Sequence, residues 1–89
     1  MARIVVTHGA VDVDKWLQFK AERADAIAAL GGSNVVDYVA QDGSNAVAVA
    51  TEVDDVAALL AALSSPPPDV GAIMERHGVI PPLTIYVQG

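Results

Sequence analysis

His8 and His77 are the only histidines of the chain, and with no cysteine present they are the side chains best suited to move a proton near neutral pH. A neutral imidazole accepts a proton from an acidic O–H or C–H, so His8 can act on a phenol or an enolisable ketone, or orient one. Each histidine also has a plain structural role. A strand histidine such as His8 can be held by a backbone carbonyl, and His77, just before Gly78, can favour the negative end of a helix. Trp16 and Phe19 form an aromatic wall that either packs a core or lines a pocket. Tyr86 shares a strand face with Thr84 and Gln88, and that semi-polar face can bind a polar ligand or meet another subunit. His8 is therefore the candidate catalytic residue, and Trp16, Tyr38, His77 and Tyr86 are candidate ligand contacts.

Other reactive residue types have simpler explanations. Asp12/Asp14 and Asp54/Asp55 sit where helices begin, next to the positive end of the helix dipole. Two distant histidines without cysteine do not make a zinc site, so no metal is expected. No phosphate-cradling glycine loop or nucleophile elbow is present. Ser64-Ser65 precedes three prolines and has no base close by in sequence.

The elements that position these residues follow from pattern. Arg3 to His8 is a β-branched strand, and Asp12 can cap a first helix. Val11 and Trp16 have the spacing of a hydrophobic staple across that cap. Trp16, Phe19, Arg23, Ile27 and Leu30 recur at helical period, with Arg23 the one polar interruption, until Gly31-Gly32 ends the helix. Val35–Gln41 and Ala46–Glu52 read as a hairpin around Asp42-Gly43-Ser44-Asn45. A second helix opens near Asp54, carries Val56, Leu59, Leu60 and Leu63, and stops at Pro66-Pro67-Pro68. That triplet reads as a stiff corner. A short helix over Asp69–His77 and a strand over Leu83–Gln88 complete the chain. The order predicts one α+β domain over residues 1–89, ferredoxin-like β-α-β-β-α-β, with a four-stranded antiparallel sheet and the helices on one face.

Composition limits the partners. A net charge of −6 with five scattered basic residues excludes the clustered cations that nucleic acid requires. No apolar run is long enough to span a bilayer, and the opening residues read as a strand rather than a leader, so a cytoplasmic location is the expectation. Hydrophobic residues make up 53% of a chain of 89, more apolar surface than one small core hides. Ile4 and Val6 point one way from the first strand and Val5 the other, so both sheet faces need cover. A homodimer formed through the sheet is the expected solution.

The opening Val6-Thr7-His8-Gly9-Ala10-Val11-Asp12-Val13-Asp14-Lys15-Trp16 resembles the first strand and helix start of the dimeric α/β-barrel superfamily. That superfamily holds antibiotic-biosynthesis monooxygenase-like proteins, haem-degrading monooxygenases and polyketide cyclases. The ending, Met74-Glu75-Arg76-His77-Gly78-Val79-Ile80-Pro81-Pro82-Leu83-Thr84-Ile85-Tyr86, is similar to the small-helix-to-last-strand stretch of the superfamily's uncharacterised small bacterial members. The resemblance implies two sheets facing each other across a dimer and a pocket between each sheet and its helices. It places His8 where family enzymes carry a pocket Asn or His, and it implies for His77 a role as haem ligand or as a second acid/base group. The Trp and Asn of the haem-degrading members have no match, since strand one carries Thr7-His8 and strand three ends in Thr51-Glu52. No cofactor is expected. The implied function is a cofactor-independent monooxygenase or cyclase acting on a small aromatic or polyketide-like substrate. The alternative is a non-catalytic ligand-binding or stress-related dimer.

Overall fold

Residues 2–89 are described by a computed structural model. The elements run β1 (Ala2–Ala10), α1 (Val13–Gln18), α2 (Lys20–Ala29), β2 (Gly32–Val39), β3 (Ala46–Val53), α3 (Val56–Ser64), α4 (Pro68–Arg76) and β4 (Val79–Val87). The four strands form one antiparallel sheet in the order β2-β3-β1-β4. The ferredoxin-like architecture expected from the element order is present, with an extra helix in each connection.

Strand alternation sorts the side chains. Ile4, Val6, His8 and Ala10 of β1 pair with or lie beside Thr51, Val49 and Val47 of β3 on the face that the helices cover. One core cluster joins Ala10, Trp16, Val47 and Val49, and a second joins Ile4, Val53 and Leu59. Each fully buried large apolar side chain there contributes about 1.5–3 kcal/mol of transfer free energy. The opposite face carries Val5, Thr7, Val36, Tyr38, Ala48 and Tyr86, brought side by side by the registers Val5↔Ala50, Tyr38↔Ala48 and Val5↔Tyr86. Among the described residues no helix covers it, and Tyr38 and Tyr86 expose 50% and 58% of their surface.

Several local expectations need correction. The first helix is broken at Phe19, whose N–H bonds back three residues to Trp16 (3.2 Å) and whose backbone leaves helical geometry. Asp12 caps α1 as expected, accepting from the Lys15 N–H at 3.1 Å. Val11, however, is 75% exposed and staples nothing; its N–H instead bonds the Gly78 carbonyl at 2.9 Å. The next helix opens near Asp54 as expected, with Asp55 as its cap, since Asp55 Oδ1 accepts from the Ala58 N–H at 3.0 Å. Strand β2 starts at Gly32, where an added Cβ would overlap Ile27 and Thr51, so only glycine fits between helix end and sheet.

Strand β4 starts four residues before Leu83, at Val79, and runs through Pro81 and Pro82. It is an edge strand, where prolines are tolerated because they need not donate to a neighbour. They still disturb the ladder. Thr7 pairs with Thr84 and Gly9 with Ile80, so β4 bulges out opposite His8. The tandem proline thus opens the sheet beside His8, the histidine of the strands.

Candidate functional site

His8 lies on the helix-covered face of β1, half-buried, with its ring set edge-to-face against Trp16 at 5.9 Å between centroids. Its Nδ1 lies 2.7 Å from the Gly9 carbonyl oxygen. A carbonyl only accepts, so Nδ1 carries the hydrogen and donates it, which leaves Nε2 with the lone pair. Burial pushes the His8 pKa below its usual 6.5, the Gly9 bond opposes this, and the nearby Arg23 charge lowers it further. The neutral imidazole is the stable form at neutral pH.

Arg23 was visible only as an interruption of an apolar stripe; in the fold it is the hub of the site. Its guanidinium lies 3.8 Å over the Trp16 ring. Nε donates to Asp37 Oδ1 at 2.8 Å, one terminal nitrogen to the Trp16 carbonyl at 3.0 Å, and the other to His77 Nδ1 at 3.2 Å. Arginine cannot accept, so His77 Nδ1 must be the unprotonated nitrogen, and Nε2–H donates to Glu22 Oε1 at 2.8 Å. Phe19 stacks on the His77 ring at 4.6 Å, which is where the break in the first helix aims it. Glu22 also receives Arg76 at 2.7 and 3.1 Å. The His77 bond first, and Arg76 second, hold its carboxyl below the usual range. His77 is therefore fixed by a network from β2 to α4 and is almost sealed from solvent, at 3% exposure.

Two hollows meet His8. Between sheet and helices is an apolar cavity of about 100 Å³, walled by residues such as Val49, Leu59, Leu63, Ile73, Met74 and Leu83, with His8, Arg23, Thr51 and His77 as its polar side chains. On the other side, at the bulged end of the sheet, an open groove of about 560 Å³ runs past Thr7, His8, Tyr38, Ala48, Pro82 and Thr84. The structure brings His8 and His77 to the cavity, with Trp16 packed behind them. Tyr38 stands instead on the groove side, and Tyr86 on the uncovered sheet face away from both histidines. Trp16 is fully buried in the core, and its Nε1 has no hydrogen-bond partner among the described residues. Among those residues, no three His, Asp or Glu side chains gather as metal ligands, and no single helix is long and apolar enough to cross a membrane.

Arg23, Asp37 and Glu22 are the site residues that pattern reading missed. A signal existed: Arg23 interrupts the buried stripe of a helix and Asp37 interrupts Val35-Val36-Asp37-Tyr38-Val39. Two opposite charges, each in an otherwise apolar run, are mutual partners if both runs are buried.

No family model matches the chain, and no curated protein matches it. Among solved structures, an antibiotic biosynthesis monooxygenase superposes with a TM-score of 0.65 at 15% identity, over 100% of this chain and 97% of that one. A candidate antibiotic biosynthesis monooxygenase from Deinococcus radiodurans superposes with a TM-score of 0.61 at 14% identity, over 100% and 91%. This chain has the ferredoxin-like fold of antibiotic biosynthesis monooxygenase-like proteins, as the sequence resemblance implied.

Proposed function

We propose that this protein is a small-molecule-binding homodimer in which His8 acts as a general base on a phenol or enolisable ketone. In the ring-closing version the resulting carbanion attacks a carbonyl of the same molecule, whose oxygen takes the proton back from His8; in the oxygenating version the carbanion is itself the reductant, adding dioxygen to give a hydroperoxide that loses water and leaves a new carbonyl. The observation that carries the reading is the His8 hydrogen bond to Gly9, which directs the proton to Nδ1 and leaves Nε2 basic beside an apolar cavity. The unpaired apolar face of the sheet, with Val5, Val36, Tyr38 and Tyr86, supports the dimer, which makes Tyr38 and Tyr86 interface residues. Residues 2–89 as a whole match the monooxygenase fold, which fits a pocket of this kind.

The test is hydrogen–deuterium exchange at the acidic carbons of 2-indanone, a compact enolisable ketone, followed by NMR in heavy water. The protein should accelerate exchange, and His8→Ala should lower the acceleration about tenfold or more. Equal rates for both proteins would retire the base. A non-catalytic ligand carrier is then the better reading, and the modest volume of the cavity favours it.

A further inference from the structure

The polar groups of the helix-side cavity can be accounted for one at a time. Thr51 Oγ1 donates to the Ser33 carbonyl at 2.8 Å. His77 accepts from Arg23 at one nitrogen and donates to Glu22 from the other. His77 is thereby satisfied at both ring nitrogens, and Thr51 has no hydrogen left to donate. His8 has its Nε2 lone pair left over. Arg23 has five N–H donors, and its contacts with Asp37, His77 and Trp16 take one each. Two N–H donors remain on a guanidinium whose side chain is only 8% exposed. Among the nitrogens lining the cavity, one acceptor and a pair of charged donors are thus left over, set in apolar walls.

A single hydroxyl on a flat apolar ligand answers both. We propose that the cavity binds a phenol or enol whose O–H donates to His8 Nε2 while the same oxygen accepts from Arg23. The inference rests on His8 being the base and adds the group that holds the product of its action. As the O–H bond breaks and Nε2–H forms, the electron pair stays on the oxygen as a phenolate or enolate. Arg23 stabilises that charge without moving, because three partners already clamp it. Charge balances locally: Asp37 neutralises Arg23, and the new imidazolium neutralises the new oxyanion. The apolar walls and the volume of about 100 Å³ select a single ring, with the flexible Met74 yielding to its substituents.

The experiment uses 4-nitrophenol, whose phenolate is coloured, and 4-nitroanisole, the same ring with the hydroxyl methylated. Wild-type protein should bind 4-nitrophenol as phenolate, raising the phenolate-to-phenol ratio about tenfold over free probe at the same pH. The variant carrying both Arg23→Met and Asp37→Leu leaves no unpaired buried charge, and the 4-nitrophenol it binds should show the phenolate-to-phenol ratio of free probe. If that variant does not fold, Arg23→Lys serves, since a point charge cannot replace the planar fork; its enrichment should fall at least threefold, or about that. Wild-type enrichment in either Arg23 variant overturns the proposal and leaves the His8 base standing. Enrichment lost with Arg23 but kept in His8→Ala upholds the arginine site and removes the base. Failure of both probes to bind wild-type protein overturns both readings.

Discussion

Arg23 Nε and Asp37 Oδ1 meet at 2.8 Å with only 8% and 4% of their side chains exposed, an ion pair sealed between α2 and β2. Charges this deeply buried need each other, because an unpaired one has no water to replace its partner. Arg23→Ala or Asp37→Ala is therefore expected to cost about 3–5 kcal/mol of stability. Replacing both with apolar residues of similar size should recover most of that loss. Urea denaturation of the two single variants and the double variant checks this; additive losses would show that the residues do not act as a pair.

The pH dependence of stability should carry the mark of His8. Its folded pKa lies below the usual 6.5, so below that pH the unfolded chain takes up the proton first. The stabilising contribution is complete above about pH 6.5 and is lost as pH falls through the lower folded value. His8→Gln should flatten the slope of stability between neutral and mildly acid pH. An unchanged slope in that variant would place the titration elsewhere.

Glu22 ties α4 to α2 through His77 and Arg76. Glu22→Gln removes the charge while keeping the shape, so the backbone amides of residues 70–77 should exchange faster with solvent, with those of β1 and β3 unaffected. The same loosening is expected in wild-type protein in acid. Glu22 has a lowered pKa, so its contribution is present above about pH 4.5 and disappears as pH falls through the folded value. Hydrogen exchange followed by mass spectrometry reads both, and equal α4 protection in the variant would show that Glu22 is no latch.

Leu59 is 2% exposed and joins α3 to Ile4 and Val53. Leu59→Ala leaves a hole in a domain with little core to spare, and about 2–5 kcal/mol of stability should go with it. Calorimetric melting tests this. A loss under about 1 kcal/mol would mean that α3 collapses into the gap.

Tyr38→Lys and Tyr86→Lys place charges on the uncovered sheet face, where the wild-type rings are half-exposed. Such surface changes normally alter the stability of a single subunit by no more than about 0.5 kcal/mol. Sedimentation velocity should show a dimer for wild-type protein at micromolar concentration and a monomer for the double variant. A monomeric wild-type protein ends the homodimer reading.

The fold and half of the site are legible in the chain itself. Strand alternation places Ile4, Val6 and His8 on one face of β1 because successive side chains must point in opposite directions, and the hairpin turn at Asp42–Asn45 needs only local chemistry. His8 stands out for the same reason: a titratable group in an apolar strand is visible without coordinates. The break at Phe19 is not, because it depends on a ring from the far end of the chain, His77, offering a stacking partner. Strand β4 extending through Pro81 and Pro82 is also hidden, since prolines argue against a strand until its place at the sheet edge is known. Tertiary structure alone decided the role of Arg23. Its partners Trp16, Asp37 and His77 lie 7, 14 and 54 residues away, and no periodicity links a helix stripe to a strand face and a distant helix end. Local patterns record which side of an element is buried; which buried groups meet is settled only when the elements pack, because hydrogen bonds act over ångströms of space and not along the chain.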